Sequence, residues 1–557
     1  MTAPERTHRE ELSVAGARWP AGLCRGRLHG VLLVAVVTAL IVLPSLGQRI
    51  VATTDEARFV LYAREVLAQH TLFNVRLRGA FFREKPPLYA WAIAALSLPG
   101  GRVTEGTAQA PIALAAIFAA VFTCLLGGRL FNPRVGLWAG LALATTVGFF
   151  RHSQILLPDM IVVACATAAA YWFWRAMEDP ADRRFTVLFY VALALALYAK
   201  GPLGLLPLLV GAIWLYRQHG PRAMTARLWS PTGFLLFAII TLTWVVPFLT
   251  LGSGTYVHTV MWQDWVSAYM HGGPGRGLPR GGRDALGFFS PWILLAPVVL
   301  SRAVAARRTP TVAYALLTFA VPLVAVLMSA HYRTRYLLAA APGFALLVAW
   351  WADAHGADRT TAARTIAWVG LAGVAAATAL VAFPGLASLR GSLHVPPLSW
   401  ALIPVLLAGW GLALSLWAGL RGGRPALAIV GVTATMAMLL VYGTWLERTR
   451  FSDDGEVPQL AARLEVYSRG GGEPGVLRES GWLEVDYYLG RPLHEIWSDD
   501  DLEAFLERTH QPVLASEAAW KEIQDRRSPR IRVLERLTMR RRSFVILGWS
   551  PGPSASP

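Results

Sequence analysis

Residues Ile50 to Trp91 read IVATTDEARFVLYAREVLAQHTLFNVRLRGAFFREKPPLYAW, a polar segment directly behind an apolar run that begins at Val31. It gathers Asp55, Glu56, Glu84 and Lys85 in a chain that is otherwise mostly lipid-soluble. Thr53-Thr54-Asp55-Glu56 has the Thr-x-x-Glu form of a capping box, which predicts a helix carrying Phe59, Tyr62 and Val66 on one face. Capping alone would account for both acids. It would not explain why such a helix sits directly behind a span.

Outward from this segment the chain is built of apolar runs. With 557 residues, 55% of them hydrophobic, 22 Trp and a mean hydropathy of +0.43, it reads as a polytopic membrane protein. The net charge of +17 is spread as Arg through short loops, which fits topology better than nucleic acid. Cys24, Cys124 and Cys165 make no CxxC pair, so neither a disulfide framework nor a zinc knuckle is available.

Residues 1–29 form a polar cytoplasmic tail, and Val31 to Leu46 lacks a cleavage site, so it reads as an uncleaved first span. Further runs lie at 87–98, 109–131, 133–150, 156–177, 184–199, 202–216, 229–250, 287–305, 311–330, 334–351, 366–385, 398–419 and 426–446. The run 87–98 is too short to span and is read as interfacial, leaving about thirteen transmembrane helices. The loops bearing Arg129/Arg134, Arg175/Arg183/Arg184, Arg217/Arg222/Arg227, Arg302/Arg307/Arg308, Arg359/Arg364 and Arg421/Arg424 then all fall on the cytoplasmic side. Loops 48–108 and 251–286 and the C-terminal region fall on the opposite side. Runs 184–199 and 202–216, separated by Lys200 and Gly201, require a tight turn.

The unusual polar residues collect on that outer side: Arg151, His152 and Asp159 at one entry, Lys200 at the next, and His331, Arg333 and Arg335 at a later one. Asp159 stands one turn inside an apolar run, where an acid costs roughly 2.5–3.5 kcal/mol unless it is paired or wet. Lys85, Lys200 and Lys521 are the chain's three lysines against a background of arginine, and two of them precede proline or glycine-proline. A compact ammonium seated on a phosphate oxygen would account for their retention.

TTDEARF, FFREKPPLYAW, Pro158-Asp159-Met160, Ala199-Lys200-Gly201-Pro202 and the segment from His331 to Leu338 together resemble the bacterial lipid A aminoarabinose transferases. These are relatives of the protein O-mannosyltransferases among membrane glycosyltransferases of the C-type fold. The resemblance covers roughly residues 30 to 350. It implies a polyprenyl (undecaprenyl) phosphate donor carrying one sugar, and transfer with inversion to lipid A or another envelope acceptor on the periplasmic side of the bacterial inner membrane.

The residues support that chemistry in their own right. A departing phosphate needs preorganised cations, for which Lys85, Lys200, Arg58, Arg333 and Arg335, with Tyr336, are candidates. Asp55, Asp159 and Glu56 are the candidate catalytic acids; Asp55 would serve as general base toward a hydroxyl acceptor, or would orient a phosphate acceptor that is already ionised. Tyr62, Tyr89 and Trp265 are candidate substrate contacts, and the aromatic, glycine-rich loop 251–286 a candidate lid. The resemblance implies a divalent metal, zinc or similar, near Glu84 with histidines of that loop. His258 and His271 are thirteen apart, which is no one-face helical pair, and the bland reading is interfacial histidines.

The expected organisation is a tail at 1–29, a membrane glycosyltransferase domain at 30–446, an outer α/β domain at 447–549 and a disordered tail at 550–557. In the outer domain, helices are expected near 455–467, 499–508 and 516–525, and strands near 512–515, 530–534 and 543–548. Asp486-Tyr487-Tyr488 and His494 read as surface turns. The chain is expected to act as a monomer without nucleic acid. A protein O-glycosyltransferase of the same fold is the alternative within enzymes, and a lipid or sugar transporter is the alternative class.

Overall fold

A computed structural model describes residues 21–73, 75–78, 80–81, 86–251, 258, 278–329, 332–355, 375, 403–421, 430–442, 455–524, 528–539 and 542–550. The chain divides into two compact units. One holds Met1–Leu46, Arg83–Tyr89 and Ala110–Leu446; the other holds Gly47–Phe82, Ala90–Gln109 and Glu447–Pro557. The first loop, read above as part of the membrane domain, thus clusters with the C-terminal region.

Among the described residues, six helical segments are long and apolar enough to cross a bilayer: Leu28–Ser45, Glu105–Leu130, Asp159–Glu178, Pro231–Thr250, Pro310–Met328 and Thr334–Ala354. Leu278–Phe288 and Trp292–Ala305, bent by 109°, make a seventh if counted as one span. The protein is therefore a multi-span helical membrane protein. The expected runs 133–150, 184–199 and 202–216 form helices Pro133–Ala144, Arg183–Lys200 and Leu206–Leu228, which are not among those segments: the first is too short and the other two are not apolar enough. Run 87–98, expected to be interfacial, is the short apolar helix Leu88–Gly100. Apart from residue 375, run 366–385 lies outside the described residues.

Two devices make these helices compatible with lipid. Hydroxyls are satisfied within their own helix, Thr38 donating to Val34 O, Thr123 to Ala119 O and Thr167 to Val163 O. Small residues let backbones approach: a Cβ on Gly343 would meet Phe319 N at 2.4 Å, and one on Gly136 would meet Cys124 O at 2.4 Å.

In the second unit β1 (Arg76–Leu77) pairs antiparallel with β2 (Ala80–Phe81), and a five-stranded sheet runs in the order β4-β3-β5-β7-β6, where β3 is Gly475–Leu477, β4 His494–Ile496, β5 Val513–Ser516, β6 Ile531–Met539 and β7 Arg542–Trp549. β3 pairs in parallel with β4 and β5, while β7 pairs antiparallel with β5 and β6. Helices Glu456–Tyr467, Asp499–Thr509 and Glu517–Ile523 fall where the periodicity predicts them. β3 and β4 escape a sequence reading because three residues carry too little alternation to be seen. Asp486 and its neighbours are not a surface turn. They lie in helix Leu483–Leu489, whose Val485 is buried in the core with Leu460, Leu464 and Trp482.

Candidate active site

In the membrane unit, Asp159 is the first residue of helix Asp159–Glu178 and Lys200 the last of helix Arg183–Lys200. Twenty residues out, a connection of four and eighteen back return the chain to its starting level, so an acid and a base 41 positions apart meet at one end of a hairpin. Each charge also suits its helix terminus, the acid at an N-terminus and the base at a C-terminus. The Lys200 ammonium donates to Asp159 Oδ1.

Gly201 (φ 105°) turns the chain sharply after Lys200, and a Cβ on Gly204 would sit 2.4 Å from the Ala196 carbonyl carbon. The tight turn expected between runs 184–199 and 202–216 is this one.

Arg335 approaches the same acid, its Nε 3.8 Å from Asp159 Oδ2. Tyr336 lies beneath both cations: Lys200 Nζ is 4.6 Å and Arg335 Cζ 5.7 Å from its ring centroid. The 3-10 turn Thr334–Ala340 that carries this pair is tied down by Asp284, which accepts from Thr334 Oγ1 at 2.6 Å and Tyr332 OH at 3.2 Å. His152, buried nearby, hydrogen-bonds through Nδ1 to Gly148 O at 2.7 Å. Burial pushes its pKa below the ordinary imidazole value, with Gly148 O and Asp159 opposing and Arg151 and Arg335 assisting.

An apolar cavity is lined by residues further along the same segments. Val162, Val163 and Ala166 line it from one face of the Asp159 helix, Leu203 and Leu206 from the turn after Lys200, and Ala339 from the segment after Arg335. All three charge-bearing segments therefore run on into its wall. The hydroxyls in that wall, Thr167 and Thr318, are bonded to Val163 O and Tyr314 O, so the lining stays apolar.

In the other unit the capping box at Thr53 is complete and separates the two adjacent acids. Glu56 is 1% exposed; its Oε2 accepts from Ala52 N and Thr53 N at 3.1 Å and its Oε1 from Arg49 Nη2 at 3.0 Å. Glu56, a candidate catalytic acid, is committed to the cap. Asp55 keeps 51% of its side chain exposed, with Arg58 Nη1 at 3.7 Å. Tyr62 and Tyr89, candidate substrate contacts, are buried; Tyr62 OH donates to Leu72 O at 3.0 Å.

Arg333 is exposed. Glu84, Lys85, Trp265 and His271 lie outside the described residues, as does most of the candidate lid 251–286. His258 is exposed, and among the described residues no three His, Cys, Asp or Glu side chains gather as a metal site.

Sequence reasoning missed Asp284, Glu484 and Asp486. Asp284 and Asp486 each mattered only once a partner far along the chain was in place, and Glu484 likewise accepts Thr54 Oγ1 across 430 positions.

This fold is that of a polytopic membrane protein, and the segments that carry its charged cluster also line an apolar cavity. The model of the family of dolichyl-phosphate-mannose-protein mannosyltransferases matches residues 84–250. An undecaprenyl phosphate-alpha-4-amino-4-deoxy-L-arabinose arabinosyl transferase of Pseudomonas fluorescens is 28% identical over 393 residues, covering 65% of this chain and 68% of that protein. The crystal structure of ArnT from Cupriavidus metallidurans bound to undecaprenyl phosphate superposes with a TM-score of 0.73 at 18% identity, over 95% of this chain and 99% of that one. The Archaeoglobus fulgidus oligosaccharyltransferase tethered with an acceptor peptide superposes at 0.51 and 11% identity, over 88% and 69%.

The homologues of this chain are thus polyprenyl-phosphate-dependent membrane glycosyltransferases. Among them it is similar to the aminoarabinose transferases, whose fold it shares.

Proposed function

We propose that this protein transfers a single sugar, aminoarabinose-like or a related pentose, from undecaprenyl phosphate to lipid A or another cell-envelope acceptor. The observation that carries the reading is the cluster Asp159–Lys200–Arg335–Tyr336, whose segments run on to line an apolar cavity. One acid between two cations leaves the cluster net positive, and the cavity wall is apolar. An amphiphile with an anionic head and a hydrocarbon chain is the ligand such a surface suits.

In the reaction, an acceptor oxygen attacks the anomeric carbon from the face opposite the phosphate. The bond from that carbon to the phosphate oxygen breaks, its electron pair leaves with the lipid phosphate, and configuration inverts. Lys200 and Arg335 stabilise the charge that gathers on the departing phosphate. Asp159, with a cation at each oxygen, orients them. Lys85, Arg58 and Arg333 are further candidates for the donor phosphate. Asp55 takes the proton of a hydroxyl acceptor, or orients an acceptor phosphate that is already ionised.

About thirteen spans, with loops 48–108 and 251–286 and the C-terminal domain on the periplasmic side of the inner membrane, complete the proposal; the Arg-rich loops support this orientation. Glu84, His258 and His271 are the candidate ligands of a divalent ion. Activity lost to a chelator and restored by zinc would assign it, and activity indifferent to the chelator would remove it.

The test is mass spectrometry of lipid A and membrane lipids from cells lacking the gene, complemented with wild type or with Lys200→Met. Loss of a sugar from lipid A with accumulation of its polyprenyl phosphate precursor, unrescued by the variant, is the expected result. Lipid A intact beside a glycoprotein that has lost its sugar moves the acceptor to protein. No change in any glycan sinks the transferase reading in favour of a transporter.

A further inference from the structure

Helix Leu483–Leu489 presents three polar side chains to the first loop within its own unit. Glu484 accepts from Thr54 Oγ1 at 2.7 Å, and the Tyr488 hydroxyl accepts from Val51 N at 2.9 Å. Asp486 holds Arg78 in a two-pronged pair, Nε at 2.7 Å and Nη2 at 2.8 Å, with Glu495 of β4 on Nη1 of the same guanidinium.

Glu484 and Asp486 are only 1% and 2% exposed. Withdrawing two carboxylates from water costs several kcal/mol each unless partners offset it, so an outer domain that needed only to be soluble would keep them outside. Both instead face partners more than 400 positions away.

The contacts bracket the helix cap. Val51 and Thr54 lie on either side of Ala52 and Thr53, the latter being the cap of helix Thr54–Gln69, and Asp55 follows directly. Successive helical residues are rotated by about 100°, so two fixed directions in the first turn determine the third. Thr54 is held toward Glu484 and Glu56 toward Arg49, which leaves Asp55 on the exposed side. Val485, buried in the domain core, keeps the helix that supplies Glu484 from drifting.

We propose that Glu484 is a positioning residue for Asp55, and that the C-terminal domain serves the reaction as a splint for the first turn of the Asp55 helix. This rests on the role given to Asp55 above. Glu484 touches no reacting atom; it acts through Thr54 on the direction of the neighbouring carboxylate.

The test uses the full-length protein in nanodiscs, an undecaprenyl phosphate aminoarabinose donor with lipid A as acceptor, and the variants Glu484→Ala, Glu484→Gln, Thr54→Val and Asp55→Asn. Glu484→Ala is expected to lower kcat about tenfold to a hundredfold, the effect of misplacing a reacting group. Donor KM should stay within about twofold, because ground-state binding is untouched. Hydrogen exchange should rise at amides 51–58 and not in the sheet. Glu484→Gln, which keeps an acceptor oxygen for Thr54, should recover most of the rate. Thr54→Val removes the contact from the other side and should give the same split where Glu484→Ala does not fold.

An unchanged kcat in Glu484→Ala, or a lower kcat without faster exchange at 51–58, overturns the inference. Asp55→Asn at the wild-type rate removes the role of Asp55 itself. An inactive Asp55→Asn beside a fully active Glu484→Ala removes only the splint.

Discussion

Two neighbouring acids in the first loop show how far one position changes a side chain's fate. Glu56 faces inward and closes the cap, whereas Asp55 faces outward. Glu56→Ala should therefore lower stability by about 1–2 kcal/mol, the scale of a lost cap, read as a fall in melting temperature. Asp55→Asn should leave melting unchanged and lower the transfer rate by about a hundredfold or more, the scale of a lost general acid–base group. Equal melting losses in both variants would contradict this division.

His152 supplies a pH test at the same scale. Its folded pKa lies below the ordinary value of 6.5, so its neutral form is the one the fold prefers. The stability it contributes is complete above pH 6.5 and is lost as pH falls through the folded pKa. Melting temperature should drop between pH 7.5 and 5.5, and His152→Gln should flatten that part of the curve. A curve unaltered by the substitution would exclude His152 as the titrating group.

At the scale of elements, the site depends on how helix ends are held. The hairpin of Asp159–Glu178 and Arg183–Lys200 sets the acid–lysine pair, and the Thr334–Ala340 turn delivers Arg335 and Tyr336. Asp284→Ala frees that turn from helix Leu278–Phe288 and should slow transfer about tenfold while expression holds, as expected for a misplaced cation. The cavity is testable separately. Ala166→Trp fills part of it and should raise donor KM roughly tenfold or more, since 1.4 kcal/mol of lost binding is a factor of ten. Unchanged donor KM would mean that the lipid chain lies elsewhere.

For the whole molecule, the open quantity is sidedness. If the proposed thirteen spans and cytoplasmic N-terminus hold, the C-terminal domain is periplasmic, and alkaline phosphatase fused after Trp549 should be active and a cytoplasm-dependent reporter silent. The reverse pattern would contradict the thirteen-span count. The first loop groups with the C-terminal sheet in one unit. A chain cut before Glu456 would lose the partners of Thr54, Arg78 and Val51 together.

What the sequence determined by itself is what neighbours within a turn or a run can express. Apolar runs of bilayer length, the Thr53–Glu56 box, an acid inside a run at Asp159, and the longer helices and strands of the C-terminal domain were all legible, because each is a pattern over a few to twenty residues. The spacing from Thr53 assigns Glu56 to the cap, but the burial of Glu56 and the exposure of Asp55 needed the packed structure. Asp159 and Lys200 were each conspicuous alone, yet their pairing required the hairpin to close. Tyr62 and Tyr89 read as candidate substrate contacts, and the fold buries both. Asp486 read as part of a surface turn and Glu484 carried no reading, whereas both are buried against Arg78 and Thr54 from the far end of the chain. Only the tertiary structure decided these, because the burial of a charge is settled by partners hundreds of residues away, and no local pattern encodes their approach.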